Sequence, residues 1–166
     1  MHSPTVDFGG LLRAFAEPGV EFVVIGGVSA ALQGVPTMTF DLDVVLSPEA
    51  GNLDHAFCVL QQLKATFREQ LSKRITPKRS DLGGRGAILL ITQLGPLDIL
   101  GELATGWGYS DLMDRVESFR TAEGHEIQIL KLAALIEVKE LLGRDKDLAA
   151  LPMYRQALRK RDSGQA

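Results

Sequence analysis

Cysteine is almost missing from this chain: Cys58 is the only one in 166 residues. No intrachain disulfide can form, and no zinc site can be built on paired thiolates. No apolar run approaches the roughly 20 uninterrupted residues that span a bilayer, so no membrane association is expected. Met1-His2-Ser3-Pro4-Thr5 has neither the basic nor the apolar stretch of a secretory leader. A cytoplasmic protein is therefore expected. Positive charge is also in short supply, since 18 Lys and Arg against 21 Asp and Glu leave a formal charge of −3. General nucleic-acid binders carry a basic excess, so that class is not expected, whereas a nucleotide or a locally held RNA end remains compatible. There is no internal repeat and no low-complexity tract. With 45% hydrophobic and 23% charged residues, the composition is that of a globular domain.

The order of apolar runs and breakers predicts one α/β (α+β) domain over 1–166, with a core at about 20–130 and C-terminal helices at about 130–161. Residues 6–17 are spaced as a helix that Pro18-Gly19 stops. Val20 to Ile25 reads as a central strand, Val28 to Gln33 as a short helix closed by Gly34, and Phe40 to Leu46 as a second strand. Ser47 then caps a helix from about Glu49 to Leu63 that extends toward Leu71, with Pro48 as its first residue. The stretch 73–85 holds five basic residues against one acid and reads as a loop, with a short strand near Ile75. Ala87 to Thr92 and Leu97 to Leu100 form a hairpin through 93–96. A short helix around Tyr109 to Met113 follows, then edge strands at Val116 to Phe119 and Glu126 to Ile129. Two helices finish the chain, Leu130 to Leu142 ended by Gly143, and one capped by Asp145 that runs to about Arg161.

Three carboxylates interrupt strands that otherwise read as buried: Asp41, Asp43 and Asp98. An ionised group in apolar surroundings is costly without a counter-charge. None of these stretches contains Lys or Arg. Side chains alternate across a strand, so Phe40, Leu42, Val44 and Leu46 share an apolar face while Asp41 and Asp43 share the other with Val45. Two residues along one face put the carboxylates roughly 6.5–7 Å apart, within reach of one ion or a close pair. Asp41 and Asp43 taken alone also fit a solvent-facing sheet edge, and Asp98 taken alone fits a turn. If the hairpin lies beside the Asp41–Asp43 strand the three converge, and Mg²⁺ or Mn²⁺, which prefer oxygen ligands, is the cofactor expected.

Gly26-Gly27 joins the first strand to a helix start, where bare backbone lets a ligand approach and N–H groups attract anions. Ser29 is placed to donate its hydroxyl to a phosphate oxygen. No Gly-Lys-Ser/Thr follows, so this is not a P-loop. Strand, Gly-Gly, helix, then Thr39-Phe40-Asp41-Leu42-Asp43 entering a strand, and a later strand with one Asp, together resemble the nucleotidyltransferase superfamily with the polymerase-β-like fold, especially its small bacterial members. The motifs cover about Val20 to Leu100 and, more loosely, the tail from Lys139 to Leu148.

The resemblance implies a mixed sheet with flanking helices and a helical C-terminal tail. It also implies transfer of a nucleoside monophosphate from a nucleoside triphosphate such as ATP to an acceptor, with pyrophosphate released. The acceptor would be a small molecule, an RNA end or a protein side chain. By position, Asp41 and Asp43 correspond to the two metal-binding carboxylates and Asp98 to the third acid. Gly26 and Gly27 correspond to the phosphate-holding turn, and Lys139, Arg144 or Lys146 would lie near the triphosphate. Two departures stand out: Gly27 where many members have Ser, and Thr37 where relatives often carry Arg. They motivate the alternative of a catalytically degenerate, nucleotide-binding or antitoxin-like regulatory module. A protein partner or a homodimer would complete the acceptor site.

Overall fold

Alternation along two central strands divides the molecule into two apolar layers. The structure, a computed structural model, describes residues 5–165, so the expectation drawn from Met1 to Pro4 lies outside it. Strand β1 (Phe22–Ile25) turns Phe22 and Val24 to one side and Val23 and Ile25 to the other. Strand β2 (Leu42–Leu46) turns Leu42, Val44 and Leu46 to the first side, leaving Asp43 and Val45 on the second. On the first side, Leu11 and Phe15 of α1 (Phe8–Ala16) pack beside Leu53, Ala56 and Leu60 of α3 (Ala50–Gln62). The second side is covered by α5 (Leu132–Leu142) and α6 (Asp145–Asp162), through Leu135, Leu151 and Tyr154. Helix α2 (Gly26–Leu32) follows β1 directly.

With β3 (Thr66–Phe67), β4 (Ala87–Thr92), β5 (Gly95–Leu100), β6 (Val116–Arg120) and β7 (Glu126–Leu130), the strands form one mixed sheet of seven, ordered β3-β4-β5-β2-β1-β7-β6. The expected mixed sheet with flanking helices and a helical tail is what the chain forms. Helix α4 (Tyr109–Leu112) and a 3₁₀ turn (Met113–Arg115) lead into β6. Strand β2 runs antiparallel to β1 but parallel to β5, with Asp43 opposite Asp98. That register brings residues 55 positions apart in the chain onto neighbouring strands. Among the described residues, no helix is long and apolar enough to cross a membrane.

Several local expectations are corrected. Of the two strands expected at an edge, β7 is interior, parallel to β1, and β6 lies at the edge. Helix α3 starts after Glu49 with no side-chain cap from Ser47. It does not extend toward Leu71, because Lys64 takes a left-handed φ of 51° and the chain turns into β3 and a 3₁₀ segment, Arg68–Lys73. The short strand is Thr66–Phe67; Ile75 only accepts a hydrogen bond from the Phe67 N–H at 2.9 Å. Arg144, not Asp145, occupies the residue before α6.

Candidate active site

The parallel β2–β5 ladder sets Asp43 and Asp98 side by side on the face that also carries Val45 and Leu100. Asp41 sits one residue before β2, on a bend where the Thr39 hydroxyl donates to the Asp41 carbonyl at 3.1 Å. Carboxylate oxygens of Asp41, Asp43 and Asp98 all lie within 4.8 Å of one another. Side-by-side acids partly removed from water resist ionisation. Burial first, then the charges of Asp41 and Asp98, push Asp43 up to about 7 against a weaker opposing pull from Arg68. Burial likewise pushes Asp98 up to about 6, although Arg68 pulls it back. The cluster thus carries more negative charge than its surroundings neutralise.

Arg68 is the residue that sequence reasoning missed. Its guanidinium donates from Nη2 to Asp98 and to the Leu90 carbonyl, and Nη1 lies 3.8 Å from Asp41. It stands at the start of the Arg68–Lys73 turn, in a stretch assigned by pattern to an extended helix. No local signal marks it, because its place depends on the β3–β4 pairing of Phe67 with Leu90.

Gly26 and Gly27 line the same cleft as Asp41 and Asp43. Gly26 has a φ of +64°, and a Cβ there would collide with the Asp43 carboxylate. A Cβ on Gly27 would stand 2.7 Å from the Thr39 Cβ. The diglycine therefore first makes room for this chain's own carboxylate and its supporting bend. Ser29 departs from expectation: it is fully buried, and its hydroxyl donates to the Leu130 carbonyl at 2.7 Å. Gln33 donates to the same carbonyl and accepts from the Leu132 N–H, so this pair fastens α2 to the β7–α5 junction. Ser29 thus faces the packed side of α2, and its hydroxyl is not free for a phosphate.

The cleft has a volume of about 540 Å³. Its opposite wall comes from the helical tail, with Lys139, Arg144, Lys146 and Tyr154. Lys139 is already engaged: its ammonium is 3.2 Å from Asp147 and 5.0 Å above the Tyr154 ring. Arg144 grips the same carboxylate at 2.5 Å. Asp147 is only 2% exposed, and these hydrogen bonds, Arg144 foremost, hold it below the ordinary carboxylate range. Trp107 lies under the Arg115 guanidinium at 4.2 Å and packs, with Tyr109, against the core outside this cleft. Arg79 pairs at the surface with Asp54.

No family model and no curated protein matches the chain. Two solved structures share its fold. TM1012 of Thermotoga maritima, described as a candidate nucleotidyltransferase, superposes with a TM-score of 0.54 at 20% identity, covering 93% of this chain and 98% of that one. The lincosamide antibiotic adenylyltransferase LnuA, solved with lincomycin bound, superposes with a TM-score of 0.58 at 12% identity, covering 92% and 98%. The architecture around the three carboxylates is thus the nucleotidyltransferase fold.

Proposed function

We propose that this chain is a nucleotidyltransferase that moves a nucleoside monophosphate from a nucleoside triphosphate to a hydroxyl-bearing acceptor with the help of Mg²⁺ or Mn²⁺. One observation carries the reading: Asp41 and Asp43 line a nucleotide-sized cleft in this fold, and Asp98, opposite Asp43 on the neighbouring strand β5, gathers its carboxylate with theirs. The donor set fits a hard divalent cation. It offers only carboxylate oxygens, already gathered, and holds charge that its neighbours leave uncompensated. Asp41 and Asp43 would hold one ion, and Asp98 would share a second with them. Bound there, divalent cations would neutralise phosphate charge and stabilise the oxygens that attack and leave in an in-line displacement.

The chain's own residues would do the rest by positioning. Gly26 and Gly27 leave room on the cleft wall for the Asp43 carboxylate and the Thr39 bend, so the acid can reach the position in which it would hold a cation. Asp98, beside Asp43 on the neighbouring strand, is placed as the candidate acceptor of the hydroxyl proton. Lys139, Arg144 and Lys146 line the far wall, where the first two also hold Asp147. LnuA, whose name makes it an adenylyltransferase of a small antibiotic, supports ATP and small hydroxylated molecules as the first pair to test. The reading is tested by incubating radiolabelled ATP, Mg²⁺ and such acceptors with wild type, Asp41→Asn and Asp43→Asn. Label transfer and pyrophosphate release by wild type alone are expected, whereas equal transfer by all three proteins rejects the proposal.

One observation favours the non-catalytic alternative. Two of the cations lining the cleft, Lys139 and Arg144, are committed to the chain's own Asp147, and Thr37 on the cleft wall brings no charge. A regulatory module would bind a nucleoside triphosphate in calorimetry, or co-purify with a partner, yet release no pyrophosphate with any acceptor.

A further inference from the structure

The Arg68 contacts have a consequence for the cation site on which the proposed function rests. Its guanidinium touches Asp98 and faces Asp41, two of the three carboxylates that would ligate a cation. The set is three acids against one fixed cation, so a divalent ion entering beside Asp98 meets both attraction from the acids and repulsion from the guanidinium. The seat is also an imperfect one for Arg68. Its Nε is buried with no hydrogen-bond partner, an arrangement that costs free energy and is relieved when the side chain turns out. The supporting backbone permits that movement. None of the residues in Arg68–Lys73 is buried, and Gln70 breaks the turn with a non-helical φ of −126° and ψ of 40°. The segment can shift without opening the core.

We propose that Arg68 is a tethered counter-ion of the carboxylate cluster, and that its pairing with Asp98 and the seating of a divalent cation on Asp98 exclude each other. The side chain holds the acids together until a cation arrives, and cation entry turns it away. Arg68 thereby sets how tightly, and at what cation concentration, the site loads.

The test is calorimetric titration of the full chain at pH 7.5 with Mn²⁺ alone, on wild type, Arg68→Ala and Arg68→Gln. Both variants should bind Mn²⁺ about tenfold or more tightly than wild type, because a fixed positive charge has left the ligand set. Equal or weaker binding by folded variants overturns the proposal. A measurement on wild type avoids any loss of folding in the variants: the Arg68 Nε–H resonance, followed while Mg²⁺ is added. It should shift, and its exchange with solvent should accelerate, as the side chain leaves its buried seat. An unmoved resonance at saturating Mg²⁺ overturns the proposal. Should none of the three proteins bind Mn²⁺ at millimolar concentration, the cation site itself fails and the counter-ion role falls with it. That result is distinct from equal binding by all three.

Discussion

Two walls of one cleft hold opposite arrangements of charge. On the sheet, Asp41, Asp43 and Asp98 crowd around the single guanidinium of Arg68. On the helical tail, the lone buried carboxylate of Asp147 lies between two cations, Lys139 and Arg144. Proton affinities follow this difference: Asp43 and Asp98 are pushed up to about 7 and about 6, while Asp147 is held below its ordinary value. A buried acid with surplus partners is a structural clasp; crowded acids with too few partners store repulsion that a retained proton or a further cation relieves. Similar residue types thus serve stability on one wall and, under the proposed function, binding on the other.

Exchanging the roles of the two acids gives the sharpest test. Asp43→Asn should lower metal-dependent label transfer by about a hundredfold or more, since cation stabilisation of the transferring phosphate is worth several kcal/mol. Single-turnover transfer measures it, with the fold checked by circular dichroism. Asp147→Ala should instead unfold more easily, by about 1–3 kcal/mol in denaturant titration, because the charge-assisted hydrogen bonds from Arg144 and Lys139 are lost. Gly26→Ala lies between these effects. The added methyl group falls on the Asp43 carboxylate at a left-handed φ, so a loss of about 2 kcal/mol in stability is expected together with weakened Mn²⁺ binding.

The pH dependence separates the walls by sign. In the fold, Asp43 and Asp98 keep protons that the unfolded chain has already released. Stability owed to them is greatest in acid and declines as pH rises from about 4 through about 6 and 7. In chelator, Asp43→Asn should therefore raise the melting temperature by about 3 °C at pH 7.5 and have little effect near pH 4. Asp147 acts the other way. Its contribution is present above the ordinary carboxylate pKa and disappears as pH falls through its lowered value. A melting curve for Asp43→Asn that tracks wild type at every pH would erase the contrast. The smallest effect belongs to neither wall: Arg79→Ala, at the half-exposed pair with Asp54, should change stability by about 0.5 kcal/mol or less in the same denaturant titration.

How much of this was legible before folding varies by residue. Asp41, Asp43 and Asp98 were visible because each interrupts an apolar strand, and strand alternation already put Asp43 opposite the Leu42–Val44–Leu46 face. Gly26 and Gly27 were visible as a break between strand and helix, although the group that needs their bareness includes Asp43 itself. Ser29 misled, since a seven-residue helix does not reveal in its sequence which side another strand will cover. Phe40, read as the start of an apolar strand face, is exposed beyond the strand's end. Arg68 was hidden, because left-handed Lys64 ended the helix that periodicity would have continued through it.

Local chemistry in the chain was enough to determine the alternating strands, the glycine break and the identity of the three acids, because these depend on periodicity and burial cost over a few residues. Which strands became neighbours was decided only in three dimensions. The Asp43–Asp98 register, the arrival of Arg68 beside them and the withdrawal of Ser29 into the core arise from pairings between residues 30 to 101 positions apart. Such distances lie beyond any local pattern, since they are set by the packing of the whole sheet.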